Sequence, residues 1–154
     1  MTWTFQVESF PAFLEEVKPL LTKHWEEIAL DKGHVPLDPQ YEVYLARDRA
    51  GEVMAVTARK DGALVGYFVG FVAPGLHYRT CLTCIGDIFY ILPEHRGDGA
   101  GIYLFKAVEA ECKRRGVQRM FAGSKLHKDV AFLFDKLGYA EVERTYCCTF
   151  FGGA

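Results

Sequence analysis

Trp3, Phe5 and Val7 alternate with Thr4 and Gln6, which predicts an opening strand over residues 2–7 with those three side chains on one face. Beyond Ser9 the period changes. Phe13, Leu14, Val17, Leu20, Leu21, Trp25 and Ile28 recur at intervals of three or four, the stripe of an amphipathic helix capped by Ser9 and starting near Pro11. Pro19 lies inside it. Its ring clashes with the preceding turn and it donates no hydrogen bond, so a kink or split is expected there. Asp38-Pro39 has the form of a cap followed by a first-position proline, opening a short helix toward Ala46. Two β-rich runs, 53–59 and 63–73, meet at Asp61-Gly62, a hairpin signal. Pro74-Gly75 ends the second, and 82–92 is a third apolar run. A helix over 99–115 follows, with Ile102, Phe105, Val108 and Cys112 buried and Lys113-Arg114-Arg115-Gly116 as its basic end and stop. Residues 117–122 read as a strand, 128–137 as a helix ended by Gly138, and 139–151 as a final long strand or pair. Strands first, then strand–helix–strand–helix–strand, predict an α/β (or α+β) sheet with one crossover unit.

The 154 residues suit a single domain over 1–154. Hydrophobic residues at 50% and charged residues at 25% are the balance of a globule, not of a disordered chain. A net charge of −2 argues against a broad basic face for nucleic acid, whose affinity rests on phosphate neutralisation. No apolar run approaches the ~20 residues of a membrane span. The first residues lack the basic start and apolar stretch of a signal peptide. The expectation is a cytoplasmic protein with no membrane partner. Charge is unevenly spread: residues 1–45 carry −5 and the remainder +3, a pattern that suits two different partners. Five cysteines, an odd number with the adjacent pair Cys147-Cys148, do not form a secreted disulfide framework. Cys81-Leu82-Thr83-Cys84 has no second ligand pair for zinc, so buried reduced thiols and no metal are expected.

The chemistry is concentrated in Asp87-Ile88-Phe89-Tyr90-Ile91-Leu92-Pro93-Glu94-His95-Arg96-Gly97-Asp98-Gly99-Ala100-Gly101. A strand runs into a glycine-rich loop, and a long helix begins there. Glycines allow a tight turn and close backbone approach; the free N–H groups of the helix start then make an anion site. A pyrophosphate fits that description. There is no Gly-Lys-Ser/Thr, and glycines spaced two by two are not a dinucleotide fingerprint.

The spacing Arg96-x-x-Gly99-x-Gly101, after a strand and Pro93-Glu94, instead resembles the acyl-coenzyme A loop of the GNAT superfamily of N-acyltransferases. About forty residues on, Leu133-Phe134-Asp135-Lys136-Leu137-Gly138-Tyr139 resembles that family's last-helix segment. The overall flavour is similar to bacteriophage-encoded members. The resemblance implies a mostly antiparallel central sheet with a splayed strand pair and flanking helices. It implies that main-chain groups of Phe89, Tyr90 and Ile91 pair with a pantetheine arm. Backbone N–H groups of Arg96, Gly97, Asp98, Gly99, Ala100 and Gly101 would hold the pyrophosphate, and the Arg96 side chain would brace the loop or the phosphates. Acetyl-coenzyme A is then the cosubstrate, and the reaction is direct attack by an amine on the acetyl group.

Asp87 is the first candidate for the base that deprotonates the amine, with Glu94 second. By alternation its side chain shares a face with Phe89 and Ile91. Two departures from the family pattern matter. Phe134 stands where the family's acid tyrosine would be, and His127 where an asparagine is common. The acid is therefore relocated to His127, Tyr103 or Tyr146, or it is dispensable. Glu26, Glu27 and Asp31 on the acidic N-terminal helices would favour a cationic acceptor, either a small molecule or a protein amine. A homodimer is compatible with this reading. The rival is a coenzyme A-binding or protein-interaction module that has lost turnover. A longer acyl group is indistinguishable from acetyl at this level.

Overall fold

In the computed structural model, which describes residues 2–152, the hairpin signal becomes the centre of the sheet. Asp61 and Gly62 both take positive φ, 50° and 87°. A two-residue turn of that hand matches the twist of the strands it joins. It folds β2 (Val53–Lys60) back on β3 (Ala63–Gly75). β1 (Trp3–Val7) runs antiparallel along β2, and β4 (Tyr78–Ile91) antiparallel along β3. β5 (Arg119–Phe121) lies parallel to β4, giving the order β1-β2-β3-β4-β5. The expected mixed sheet is present, and the third apolar run starts four residues earlier than expected because Gly75 pairs directly with Tyr78.

Both faces of the sheet are covered. Tyr67 and Phe68 are adjacent on β3 and fully buried on opposite sides. Tyr67 meets His24 of α1 (Phe10–Ile28), whereas Phe68 meets Phe105 of α3 (Ala100–Arg115). α2 (Tyr41–Arg49) joins the α1 side through Tyr44, which stacks on Phe10 at 4.9 Å. α4 (Ala131–Leu137) joins the α3 side, where Phe134 meets Phe105.

Several local expectations are corrected. Pro19 does not split α1, which runs unbroken for 19 residues. Its missing hydrogen bond falls on the exposed side, where the Glu15 carbonyl can face solvent, while Val17, Leu20 and Leu21 anchor both halves in the core. Ser9 occupies the cap position without a side-chain capping bond. The inward stripe ends on His24, and Trp25 is half-buried beneath the Lys32 ammonium. α2 starts at Tyr41 rather than after Pro39. α4 starts at Ala131 because Asp129 bonds the Ala131 amide and Ser124 the Val130 amide, holding 124–130 as a loop. Residues 139–152 form no strand: among the described residues no strand pairs with them, and an unpaired extended segment is not stable as a strand. Among the cysteines Cys84 and Cys112 are buried, but Cys147 and Cys148 are exposed on this segment.

Two charged or polar clusters tie the layers together. Arg59 on β2 bridges Glu8 and Glu16, joining the end of β1 to α1. Burial pushes the Glu8 carboxyl up, but bonds from Arg59 and Thr57 outweigh it and hold it at about 2. His24 is 7% exposed, stacks on Tyr90 at 4.7 Å and shares a 2.8 Å hydrogen bond with the Tyr67 hydroxyl. Burial lowers its pKa to about 4. An unfolded histidine titrates near ~6.5, so the unfolded chain binds the extra proton first. The stability due to neutral His24 is complete above about pH 6.5 and is lost as pH falls toward 4. Urea unfolding of wild type should therefore weaken by on the order of 3 kcal/mol between pH 7 and pH 4.5. His24→Leu should show a much shallower slope across that window; an equal slope would assign the acid sensitivity elsewhere.

Candidate functional site

β4 is the axis of the site. Its pairing with β5 extends only over Thr83–Arg119, Cys84–Met120 and Ile85–Phe121. Gly86, just past the last pair, is pressed against the end of β5: a Cβ there would sit 3.0 Å from the Phe121 carbonyl oxygen. Beyond it β4 keeps its bonds to β3 but has no strand partner on its other edge, so the backbone of 87–91 is open on that side. This is the splayed pair, and Phe89, Tyr90 and Ile91 lie along it. The Ile91 carbonyl already accepts a 2.8 Å bond from Arg96 Nε.

At the end of that edge a single 3₁₀ turn, Pro93–His95, leads into the glycine loop. Gly99 caps α3 with φ 75°, a left-handed conformation that side chains other than glycine resist. The first intrahelical bond is Tyr103 N–H to the Gly99 carbonyl, so the amides of Ala100, Gly101 and Ile102 precede the ladder and point out of the helix start. The space where a Gly97 side chain would stand holds no atom within 4 Å. An anion seated here meets aligned N–H groups and the positive end of a 16-residue helix. Arg96 contributes differently from its neighbours. Its amide bonds the Pro93 carbonyl. Its guanidinium bonds both Glu27 carboxylate oxygens at 3.0 Å and lies 5.4 Å from the Tyr90 ring centre. The side chain therefore braces the loop against α1. Beside the loop a hollow of about 490 Å³ opens between Trp3, Phe5, Lys60, Asp98, Ala100 and Tyr103.

Asp87 lies on the face opposite to the one that alternation assigns. The β3–β4 register slips between Val69 and Gly70, pairing Val69 with Ile88 and Gly70 with Gly86. Asp87 is the extra residue of this bulge, which re-aims its side chain. Phe89 packs under Phe105 of α3, whereas an Asp87 oxygen accepts a bond from the Tyr44 hydroxyl on α2. Burial, with the neighbouring carboxylate, drives the Tyr44 pKa far above its ordinary value. Tyr44 thus stays a phenol and a donor. The rest of Asp87 is exposed.

The remaining candidates are dispersed. His127 lies in the loop before α4, and its Nε2 donates to the Ile28 carbonyl at 2.8 Å. No hydrogen bond joins it to Asp87. Phe134 sits in an aromatic cluster with Phe89, Phe105 and Tyr139. Tyr103 is exposed next to Gly99, and Tyr146 is exposed on the C-terminal segment. Glu94 is exposed on the 3₁₀ turn. Glu26 is exposed, Asp31 forms the turn after α1 at φ 57°, and Glu27 is committed to Arg96. Sequence reasoning missed Tyr44, His24 and the Arg96–Glu27 link. The signal for His24 was present, since it continues the 17, 20, 21, 28 stripe of α1. Among the described residues no group of three His, Cys, Asp or Glu that could hold a metal comes together, and no helix is long and apolar enough to cross a membrane.

A family model described as acetyltransferase (GNAT) family matches residues 12–139. No curated protein matches the sequence. Solved structures match the fold. The chain is similar to a ribosomal-protein-alanine N-acetyltransferase from Brucella melitensis biovar Abortus 2308, with 18% identity, TM-score 0.76, and 97% of this chain and 99% of that chain covered. It is also similar to an aminoglycoside acetyltransferase from an uncultured soil metagenomic sample in complex with sisomicin, with 13% identity, TM-score 0.71, and 99% and 97% covered. A third similarity is to the aminoglycoside N-acetyltransferase AAC(6')-Iy in complex with CoA, with 16% identity, TM-score 0.69, and 95% and 98% covered.

Proposed function

The chain belongs to the acetyltransferase (GNAT) family of acyl-coenzyme A-dependent N-acyltransferases, and from that premise we propose that it moves an acetyl group from acetyl-coenzyme A to a cationic amine by direct attack. The observation that carries this reading is the open edge of β4 leading straight into the unbonded amides at the start of α3. The residues fit the group: an extended arm can pair along 89–91 while a diphosphate occupies the loop that Gly97 leaves vacant of side chain. Phe89, Tyr90 and the Ile91 amide would hold the arm, and Gly97 to Gly101 the diphosphate. When bound, acetyl-coenzyme A supplies an acetyl group activated as a thioester.

Asp87 accepts the proton that an ammonium group, pKa near ~10, has to shed before its nitrogen can attack, directly or through one water. Tyr44 holds that carboxylate in place. Phe134 donates no proton, and none is required to expel a thiolate that is less basic than the amine, so positioning suffices. Glu26 and Asp31 favour a cation on the acceptor side, and the fold relatives bound to sisomicin or acting on aminoglycosides support an amine of that class.

Release of free thiol from acetyl-coenzyme A, followed across a panel of amines with the acetyl mass gain read on the acceptor, tests the proposal. Phe134 favours one competing reading, a module that binds coenzyme A without turnover. Phe134→Tyr separates the two. An enzyme limited by positioning should gain less than about twofold in rate, as chemistry that needs no acid predicts. Silence of wild type with every amine, together with activity in Phe134→Tyr, would establish the inactive module instead. His127→Ala should leave the pH profile unchanged, since His127 is spent on Ile28.

A further inference from the structure

The chain has three methionines, and both internal ones, Met54 and Met120, reach the same thiol. Cys112 Sγ on α3 lies 3.9 Å from Met54 Sδ on β2 and 4.0 Å from Met120 Sδ on β5. Cys84 completes the group. It stands opposite Met120 in the β4–β5 pairing, and its thiol donates to Cys112. Gly70 on β3 makes the convergence possible: it pairs with Met54, and a Cβ there would meet Cys84 Sγ at 3.0 Å. Two thiols and two thioethers are thus gathered from β2, β4, β5 and α3 at one point beneath the helix.

Zinc takes thiolate, imidazole and carboxylate ligands, whereas thioether sulfur is a soft donor that suits Cu(I). The cluster therefore lies outside the His, Cys, Asp and Glu sets that hold harder cations. Metal–sulfur bonds of ~2.3 Å, as in zinc thiolates, set the ligand sulfurs about 3.8–4.0 Å apart in a tetrahedral or trigonal array. The separations of Cys112 from both methionines already have that value. A way in exists, because Cys112 and Met120 line a hollow of about 250 Å³ together with Glu109 and Tyr139. With both thiols deprotonated, the ion and its ligands would carry one net negative charge. Arg115 offsets it: its Nη1 donates to the Val53 carbonyl at 2.8 Å, next to Met54. The bond from Cys84, aided by Arg115, holds the Cys112 thiol below its ordinary pKa against the effect of burial. Glu111 has the opposite sign but is paired with Arg114.

From this arrangement we infer that the chain holds one Cu(I) ion between α3 and the sheet, bound by Cys112, Cys84, Met54 and Met120. Binding expels the two thiol protons and changes no oxidation state. The ion fastens the C-terminal end of α3 to three strands, whereas the diphosphate amides lie at the other end of that helix. The inference does not depend on acyl transfer.

The full chain carrying Cys81→Ser, Cys147→Ser and Cys148→Ser keeps the cluster and loses the other thiols. Titrated anaerobically with Cu(I) in ascorbate, against a colorimetric Cu(I) chelator, it should take up one equivalent and keep it in millimolar glutathione. Its melting temperature should rise with the ion, as binding to the folded state alone requires. In that background Met54→Leu and Met120→Leu nearly conserve volume and should fold. Each should weaken binding by at least ~10-fold, the loss caused even by residues one shell further from a metal. Cys112→Ala should abolish uptake. A chain that takes up no Cu(I) overturns the inference, and so does one that surrenders it to glutathione, which marks an adventitious ion only. Affinity unmoved by Met54→Leu and by Met120→Leu overturns it as well, because the ion then sits on thiols elsewhere. If Cys112→Ala fails to fold, the two methionine variants decide alone.

Discussion

Gly99→Val is expected to abolish the rise in melting temperature that acetyl-coenzyme A gives the wild-type chain. Two effects act together. A β-branched residue at φ 75° costs about 1–3 kcal/mol of backbone strain. Its Cβ would stand 3.5 Å from the Tyr103 ring, and its branches would crowd the side of the loop where the α3 amides emerge. Ligand stabilisation follows mass action, about 2.7 kcal/mol at a hundred times Kd. Loss of two orders of magnitude in affinity removes nearly all of that at the same concentration. Gly116→Val supplies the control, since Gly116 caps the other end of α3 at φ 79°. It should carry a similar strain and still respond to the ligand. A folded Gly99→Val protein with unchanged affinity would overturn the placement of the diphosphate and the acetyl-transfer reading with it.

Asp87→Asn is expected to lower turnover by ~10²-fold or more at neutral pH, the scale on which a positioned base contributes, while acetyl-coenzyme A affinity hardly moves. The amide oxygen still accepts the Tyr44 hydroxyl, so local structure survives and the loss reports on proton acceptance. Tyr44→Phe gives a second reading. It leaves the carboxylate but frees it from the hydroxyl that holds it in place, so turnover should fall by less than in Asp87→Asn while acetyl-coenzyme A affinity stays the same. Should Asp87→Asn turn over at the wild-type rate, the base is solvent or Glu94, and the Asp87–Tyr44 contact is a strand-to-helix tie.

The local features of this chain were legible because they depend on neighbours in sequence. Periodicity marks β1, α1 and α3 since burial on one face of a strand or helix repeats every second or every third to fourth residue. Asp61-Gly62 marks the hairpin because only residues tolerant of positive φ make that turn. The loop from Arg96 to Gly101 could be recognised because a helix start presents its free amides wherever it occurs. Those properties belong to single segments of fewer than twenty residues, and the sequence determined them.

What tertiary structure decided are relations between segments. A one-residue slip of β4 against β3 turned Asp87 from the Phe89 face to the α2 face, and nothing within β4 announces which register β3 will impose. Arg96 and Glu27 are 69 residues apart; their pairing required the packing of α1 against the end of β4, and no pattern within either segment announces it. His24 entered the core because Tyr67 and Tyr90, on two different strands, give it a partner and a stacking surface that no local pattern contains. The C-terminal segment shows the same dependence in reverse. Its alternation is that of a strand, but a strand exists only when another pairs with it, and among the described residues none does.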